Sequence, residues 1–442
     1  MNLNDWIERK AQRIIEIAHD EGNPMGLDSL EPDDKRDSSP STKSRHKKSK
    51  RNEGAKEAAE MAAEVWDFDR ADNATYAMET FLQVLAEMSA DGKTARAACR
   101  LATDPTGDEN RKPVGETLRL YPRNLEPAET VRMYDEISEL LMEQIKQYVE
   151  FDRPVEAAID MVSLEAPGDP KKIEETAEDI GEMFEELGDD ATGQFVQGVE
   201  DEDSDAKCYK FITLNIVGQH FRIPIVVRPV PKGVPYATLV REVYWRAREL
   251  VSIETVYLDA GFFSADGLWS LNETPSDYVM SVPKNVRFKR WLDTTENEVA
   301  VKQDHGVFGP IEGVGRDYAK TNIVAKPSIQ NPDKTVLFAT NKDVRDEIGL
   351  DRRRAVERTE PYSRRGQQEK SYEMIKKFLA PTQSKSFRLH LFYFCFAALA
   401  YSMWKLVDFR VKKDVGIEPA ADPVIEFVEF LGCMEEYLLR LG

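Results

Sequence analysis

The chain has 442 residues, enough for about two to four domains at ~100–200 residues each. Hydrophobic residues make up 41% of it and charged residues 32%, which excludes a wholly disordered or fibrous protein. The net charge is −20, and so acidic a chain is not by default expected to bind nucleic acid.

The acidic charge is unevenly distributed. Residues 165–206 hold 16 Asp or Glu and 2 Lys or Arg, so this segment carries −14 and the rest of the chain only −6. A second explanation is a halophilic host, because high salt screens long-range charge and surface carboxylates keep a protein hydrated. A basic run, KSRHKKSKR over residues 43–51, is either an arm that contacts DNA phosphates or a solvated linker.

The sequence predicts neither a membrane span nor an exported protein. The longest uncharged apolar stretch, residues 391–404, has 14 residues, whereas a span needs ~20. The amphipathic N-terminus carries acids and lacks the apolar core of a signal peptide, so we expect a cytoplasmic protein. The four cysteines are far apart and the five histidines form no metal motif, which argues against disulfides and structural zinc.

Helical patterns dominate the first 150 residues. The predicted elements are a helix at 1–22, a flexible linker at 23–58, and helices at 74–92, 94–103, 113–121 and 126–151. Three short helices carrying Arg96, Arg100 and Arg119 fit a helix-turn-helix module that contacts DNA. A plain three-helix bundle is the open alternative.

From residue 153 onward, short strands alternate with helices. Apolar runs predict buried strands, and apolar residues at steps of three and four predict helices, one of them inside the acidic segment. The predicted strands are 155–164, 207–218, 221–230 and 254–263, the predicted helices are 173–187, 236–251, 365–407 (broken at Pro381) and 423–440, and a separate β-rich insert with the run NVRFKRWL covers 280–348.

This order of elements resembles the ribonuclease-H-like α/β fold with an insertion before its last helix. We therefore expect an α/β protein in which a β-rich insertion interrupts a ribonuclease-H-like catalytic core, with an N-terminal all-helical DNA-binding region. The predicted domains are an N-terminal helix and basic linker (1–58), a helical DNA-binding domain (59–150), the core (151–280 and 349–410), the insertion (281–348) and a C-terminal helix with a dimerisation role (411–442).

The sharpest signal is the segment YSRRGQQEKSYEMIK at residues 362–376. Its members Tyr362, Arg365, Glu369 and Lys376 are spaced by 3, 4 and 7 residues. On one continuous helix this spacing places all four on one face. An ordinary salt-bridged surface with an Arg365–Glu369 pair is the alternative interpretation.

This four-residue pattern resembles the signature of the DDE transposases of the YREK group, which belong to prokaryotic insertion sequences, here of a halophilic-archaeal type. All four positions match. Upstream, AIDMVSL and VYLDAGFFS resemble the first and second catalytic strands of that family, and FRLHLFYFCFAALAYSMWKLVD resembles the helix after the signature. The resemblance covers about residues 150–408.

The resemblance implies that Asp160, Asp259 and Glu369 are catalytic and hold two Mg²⁺ (or Mn²⁺) ions. Carboxylates offset the repulsion between two divalent ions ~3.5–4 Å apart and supply the hard oxygen ligands that magnesium prefers. Met161 departs from the family, which often has Thr, Ser or Asp after the first aspartate. The rivals for that first position are Asp152, Glu165 and Asp169.

The resemblance also implies DNA contacts. Tyr362, Arg365 and Lys376 match the DNA-contacting members of the signature, where Arg binds phosphate bidentately and Lys acts as a point charge. Some family members flip a base onto an aromatic residue of the β-rich insert, and Trp291 is the candidate here. The alternative for Trp291 is a core position of the insert.

The implied function is a transposase that binds the terminal inverted repeats of its element, cuts DNA at the ends and joins them to target DNA. Synapsis of two ends implies a homodimer on DNA, associated with the nucleoid in the cytoplasm and not with a membrane. Two alternatives stay open: a decayed or domesticated copy that binds DNA without cutting it, and an acidic scaffold without nucleic acid. The complete four-residue signature argues against the scaffold.

Overall fold

A computed structural model describes residues 40–441, apart from 66–77, 102–114, 149–153, 167–173, 176–192, 199–206, 219–220 and a few shorter gaps at 296, 312–314, 316, 330 and 420. Residues 46–442 form one compact unit, which the following paragraphs describe. Of residues 1–45, the described part, 40–45, is helical.

The described strands differ widely in length. They are β1 (Val155–Glu165), β2 (Glu174–Glu175), β3 (Gly193–Gln194), β4 (Val196–Gly198), β5 (Lys207–Val217), β6 (Ile223–Pro229), β7 (Ile253–Leu258), β8 (Asp277–Ser281), β9 (Ala300–Phe308), β10 (Tyr318–Pro327) and β11 (Thr335–Thr340).

The described α-helices lie before, between and after the strands. They are α1 (Pro40–Val65), α2 (Met78–Asp91), α3 (Ala95–Leu101), α4 (Gly115–Asn124), α5 (Pro127–Tyr148), α6 (Tyr236–Leu250), α7 (Ala265–Asn272), α8 (Val286–Asp293), α9 (Gly349–Thr359), α10 (Gly366–Lys377), α11 (Phe387–Val415) and α12 (Phe427–Leu441). Two 3₁₀ turns, Ala260–Phe262 and Glu360–Arg365, follow β7 and α9.

Nine strands form one mixed sheet in the order β4-β5-β1-β7-β8-β11-β10-β9, with β6 also paired to β5. The central pairs β1–β7 and β7–β8 are parallel. All other pairs of this sheet are antiparallel. They are β1–β5, β4–β5 and β5–β6 on one side and β8–β11, β10–β11 and β9–β10 on the other. The sheet therefore has a parallel centre, and the carboxyl ends of its central strands meet at one edge.

Helix α11 forms the centre of the hydrophobic core beside β5. Phe394 stacks on Phe211 of β5 with ring centroids 4.6 Å apart, and Phe387 stacks on Phe195 at 4.0 Å. By length and composition α11 is the one described helix that could cross a membrane, but 94% of its apolar window is buried inside the protein. Such burial is typical of the core helix of a folded domain.

Most predicted elements are confirmed. β1, the β5–β6 hairpin, α6, α2 and α5 lie where the periodicity predicts them, and α2 ends before Gly92, whose φ is +61°. A glycine tolerates this left-handed conformation without the steric cost that a Cβ atom adds. The predicted helix at 1–22 lies outside the described residues.

The predicted flexible linker at 23–58 is wrong for residues 40–58, which belong to α1. Small side chains let this helix pack closely on α11, because Gly54 and Ala55 are buried and a Cβ atom at Gly54 would lie 2.6 Å from Val407 of α11. Glu57 also forms an ion pair with Arg410 of the same helix. The basic run at 43–51 is thus part of a helix.

The predicted β-rich insert differs in two respects. The run NVRFKRWL forms helix α8, which begins after Asn285, whose side chain accepts the Phe288 N–H at 3.0 Å in an N-cap. The insert is also not a separate sheet, because β11 pairs with β8 and extends the central sheet by three strands.

The helical region 59–150, which the sequence predicts to be a separate domain, packs on the sheet through α5. Helix α5 packs on the sheet: Tyr134 donates to the carbonyl oxygen of Pro224 at 2.9 Å and Ser138 to that of Ile225 at 2.8 Å. Its apolar side is buried there, which accounts for the helical periodicity. Within the acidic segment, Glu174–Glu175 pair with Gly193–Gln194 as strands, and the rest of the predicted helix lies outside the described residues.

Candidate active site

Two of the three predicted carboxylates meet at the centre of the sheet. Asp160 lies within β1 and Asp259 directly follows β7, the parallel neighbour of β1, with Ile159 opposite Leu258. Since the strands run in the same direction and in register, both side chains reach the same edge of the sheet.

Arg365 joins the two carboxylates. Its Nη2 atom lies 3.1 Å from Oδ2 of Asp160 and 3.5 Å from Oδ2 of Asp259. The side chains of Arg365 and Asp160 are 13% and 14% exposed, whereas that of Asp259 is 47% exposed. The carboxylates therefore converge on one nitrogen atom at a site that opens to solvent on the Asp259 side.

Hydrogen bonds fix the orientation of each carboxylate. Oδ1 of Asp160 accepts the Met161 N–H at 2.8 Å, and Oδ1 of Asp259 accepts the Ser281 hydroxyl at 3.2 Å. Ser281 ends β8, the next parallel strand, so Asp160, Asp259 and Ser281 lie in a row across three neighbouring strands.

The environment of Asp160 disfavours its charged form. Burial raises the pKa of the Asp160 carboxyl and the nearby Asp259 charge adds to the rise, while Arg365 and the Met161 N–H oppose it. A buried carboxylate beside a second carboxylate is stabilised by any cation that binds between them.

A tyrosine pair encloses the site from the signature segment. The Tyr372 hydroxyl lies 2.5 Å from Thr213 Oγ1, directly opposite Asp160 on β5, and 3.4 Å from the Asp160 carbonyl oxygen. The Tyr362 hydroxyl donates to the carbonyl oxygen of Leu258 at 3.1 Å, next to Asp259. Both tyrosines thus attach the signature segment to the strands that carry the aspartates.

The predicted single helix face of the signature is wrong in its geometry. Tyr362 and Arg365 lie in the 3₁₀ turn Glu360–Arg365, and Glu369 and Lys376 lie in α10. Tyr362 packs on a buried cluster that includes Tyr257 and Phe338, and this burial raises the pKa of its phenol. Pro361 in the turn lacks a backbone N–H, which fits a break in the helix.

The other predicted residues are placed as follows. Lys376 is exposed near the end of α10. Trp291 is half-buried on α8 and contacts Phe288 with ring centroids 6.4 Å apart. Arg96 is exposed at the start of α3, and Arg119 forms an ion pair with Glu116 at 2.5 Å. The side chain of Arg100 lies outside the described residues.

The third carboxylate, Glu369, lies in α10, and its side chain is outside the described part of the chain. Within the described residues, no three His, Cys, Asp or Glu side chains form a metal-binding group. Among the rivals of Asp160, Glu165 is exposed at the far end of β1, opposite Cys208, and Asp152 and Asp169 lie outside the described residues.

Sequence reasoning missed Ser281, Thr213 and Tyr372. Ser281 follows Met280, which lies opposite Leu258, so a correct strand assignment for 277–281 together with its parallel register would have placed Ser281 beside Asp259. Thr213 and Tyr372 meet through tertiary packing, for which a single sequence carries no signal.

Comparison with known proteins gives a distant structural likeness. No family model and no curated protein matches the chain. Among solved structures, the cryo-EM structure of a piggyBac transposase synaptic complex with hairpin DNA is similar at 13% sequence identity and a TM-score of 0.48, over 88% of this chain and 78% of that chain.

Proposed function

We propose that the protein is a DDE transposase that cuts DNA at the terminal inverted repeats of its element and joins the ends to target DNA. The observation that carries this proposal is the convergence of Asp160 and Asp259, from parallel neighbouring strands, on one nitrogen of Arg365. Three residues from separate segments of the chain thus meet at one point. The sheet order around β1 and β7 supports a ribonuclease-H-like core.

The donor set fits magnesium or manganese. Asp160 and Asp259 offer hard carboxylate oxygens beside a position that already favours a cation, and Glu369 is the third proposed ligand. Two bound ions would activate the attacking oxygen and stabilise the leaving oxygen. Ser281 and the Met161 N–H would hold the two aspartates in the orientation that binding requires.

The protein residues supply positioning and charge. We assign Arg365 to the scissile phosphate, where its planar guanidinium would offset the charge that develops on the phosphate oxygens. Exposed Lys376 would contact a neighbouring phosphate. Tyr362 is assigned a positioning role, because its hydroxyl binds the Leu258 carbonyl and its ring packs on Phe338.

The chemistry consists of two phosphoryl transfers. In the first, a water oxygen bonds to phosphorus, the phosphorus–O3′ bond breaks, and the water proton is released as the 3′ oxygen becomes a hydroxyl. In the second, that hydroxyl oxygen bonds to a target phosphorus, the bond from this phosphorus to the target 3′ oxygen breaks, and the hydroxyl proton is released as the target 3′ oxygen becomes a hydroxyl. Joining two ends in one event favours a homodimer on DNA.

The experiment that tests the proposal uses labelled DNA containing the inverted repeats that flank the gene, with Mg²⁺ or Mn²⁺ in high salt. Glu369→Gln removes the proposed third ligand. Glu373→Gln is the matched control, since it removes one exposed carboxylate one turn further along the same helix. We expect nicking at the repeat boundary by the wild type and by Glu373→Gln, and none by Glu369→Gln.

The other outcomes are equally informative. Binding without nicking by the wild type would replace the proposal with a decayed, non-catalytic DNA-binding protein. Equal nicking by all three proteins would remove Glu369 from the active site. Failure to bind the repeats at any salt concentration would favour the acidic scaffold.

A further inference from the structure

A second charged site lies at the opposite end of the central strands. A cleft opens between Phe221 and Arg222 before β6, the second half of α11 and the segment before α12. The end of β5 adjoins the amino end of β1, where Val217 pairs with Glu156, whereas Asp259 follows the carboxyl end of the parallel strand β7. The cleft is therefore distinct from the candidate active site.

One ion pair in the cleft wall is complete. Lys412 Nζ lies 2.9 Å from Oδ2 of Asp408, and both side chains are almost fully buried. The lysine also donates to the carbonyl oxygen of Ala421 at 2.7 Å, and Oδ1 of Asp408 accepts the Val424 and Ile425 N–H groups at 2.7 and 3.1 Å. This pair fixes the wall and leaves no net charge.

Two further cations line the cleft, and neither forms an ion pair with a described carboxylate. Within the described part of the chain, neither Arg222 nor Lys405 has an acidic group within ion-pair distance, and Nε of Arg222 is buried with no hydrogen-bond partner. The Lys405 ammonium lies over the Trp404 ring at 5.0 Å and the Tyr401 ring at 6.0 Å. The aromatic faces offset only part of a desolvated positive charge.

The electrostatics agree with this geometry. Burial lowers the pKa of Lys405, and the Lys412 and Arg222 charges lower it further against the opposing effect of Asp408. Burial also lowers the pKa of Arg222. Two half-buried cations that repel each other cost folding free energy unless an anion joins them.

We propose that this cleft binds a phosphate group through Arg222 and Lys405. Inorganic phosphate carries about −1.5 to −2 charges at neutral pH, which is close to the charge of the two cations, whereas a DNA backbone phosphate carries one and would offset only part of it. The guanidinium can hold two phosphate oxygens in parallel, and the ammonium adds a point charge. Inorganic phosphate and a DNA backbone phosphate share this chemistry, and the test separates the two sources.

The test compares wild type, Arg222→Gln and Lys405→Met, where methionine keeps the apolar stem over Trp404. Lys232→Gln, which removes an exposed positive charge from the turn before α6, is the matched control. Each protein is titrated with inorganic phosphate against chloride at constant ionic strength while the melting temperature is recorded. Circular dichroism in chloride establishes that each variant is folded.

We expect a saturable rise in melting temperature for the wild type and Lys232→Gln, and a weakening of phosphate affinity of about tenfold or more in the two cleft variants. A second arm measures the affinity for duplex DNA of random sequence. A loss of DNA affinity in the cleft variants, with no effect of free phosphate, assigns the phosphate to the DNA backbone. If all four proteins respond alike in both arms, the proposal is wrong.

This inference does not depend on the proposed transposase activity. Binding of inorganic phosphate is measured without DNA cleavage, so an inactive protein can still bind the anion in the cleft. Conversely, nicking that requires Glu369 can occur with the cleft variants.

Discussion

Two arginines of this protein each lie between two carboxylates, and they differ in how they use their nitrogens. Arg228 binds Asp135 through both Nη atoms at 2.9 and 2.8 Å and Glu242 through Nε at 3.1 Å. Arg365 offers one nitrogen, Nη2, to both Asp160 and Asp259 at 3.1 and 3.5 Å.

The difference separates a buried structural ion pair from a site that opens to solvent. All three guanidinium nitrogens of Arg228 contact a carboxylate, and the Arg228 side chain is 4% exposed. At Arg365 each carboxylate meets the guanidinium through one oxygen, and Asp259 is 47% exposed. The same residue types therefore close the first site and leave the second open to solvent, where the proposed metal ion would bind.

The largest expected effect comes from breaking the buried ion pair between Arg228 and Asp135, which we call the closed pair. Arg228→Ala removes the bidentate partner of the partly buried Asp135, which then keeps Arg246 Nε at 3.1 Å, and we expect the free energy of unfolding to fall by about 3 kcal/mol. Urea denaturation measures the loss. Arg248→Ala, at a partly exposed position of α6, is the control and should change stability by about 0.5 kcal/mol or less.

A loss below about 1 kcal/mol for Arg228→Ala would contradict the distinction, because that is the range of a solvent-exposed ion pair. Arg228→Met adds detail. An apolar residue of similar length is expected to restore part of the stability if packing contributes beside the charge.

We call Arg365 with Asp160 and Asp259 the open pair. Removing its arginine should lower stability less than the loss of Arg228, and it should change the affinity for a metal ion. Without metal, Arg365→Ala is expected to lose about 1–2 kcal/mol, since two carboxylates then face each other without this cation. Mn²⁺ should bind about tenfold more tightly, because it no longer competes with the guanidinium. Calorimetric titration measures the affinity, and Arg365→Lys, which keeps the charge, is the control.

Equal Mn²⁺ affinity in the wild type and Arg365→Ala would mean that the ion binds away from the guanidinium. In that case Arg365 would be a structural residue like Arg228. The double variant Asp259→Asn, Arg365→Ala then decides whether Asp259 binds the ion at all.

Both aspartates of the open pair could be predicted from the sequence, and their surroundings could not. Asp160 interrupts an apolar run and Asp259 ends one, so local patterns fix their strands. The parallel register that joins β1 to β7 depends on a crossover of about ninety residues, which includes α6 and the β5–β6 hairpin. Local periodicity carries no information on such pairing.

The signature segment illustrates a second limit. Regular spacing predicts one helix face, but Pro361 and the packing of Tyr362 on Phe338 produce a 3₁₀ turn before α10. Helix α8 is a related case, since its alternating apolar and basic residues fit a strand and the Asn285 cap selects a helix. In both cases a few local contacts outweigh the hydrophobic period.

A third substitution examines how the open pair is positioned. Tyr362→Phe removes the hydroxyl that binds the Leu258 carbonyl and keeps the ring, so we expect a loss of about 0.5–1.5 kcal/mol in stability. If Tyr362 positions Asp259 and Arg365, the cleavage rate falls while the affinity for repeat DNA is unchanged. A fall in DNA affinity with an unchanged rate would instead assign Tyr362 to direct DNA contact.

The smallest expected effect concerns a carboxylate pair joined by a proton instead of an arginine. Glu435 of α12 hydrogen-bonds Glu87 of α2, and burial together with this neighbour raises the pKa of Glu435 to about 7 from its ordinary 4.5. The folded state then binds more protons than the unfolded state between pH 4.5 and 7. The stability that this proton contributes is therefore complete below pH 4.5 and is lost as the pH rises to about 7.

Glu435→Gln keeps the hydrogen-bonding amide and removes the titration. We expect the variant to be more stable than the wild type at pH 8, by less than about 1 kcal/mol because solvent screens a half-buried group, and the difference to vanish near pH 4.5. Urea denaturation across this pH range measures it, with exposed Glu273→Gln as the control. A pH-independent difference would mean that α12 docks on α2 without a proton shared between Glu435 and Glu87.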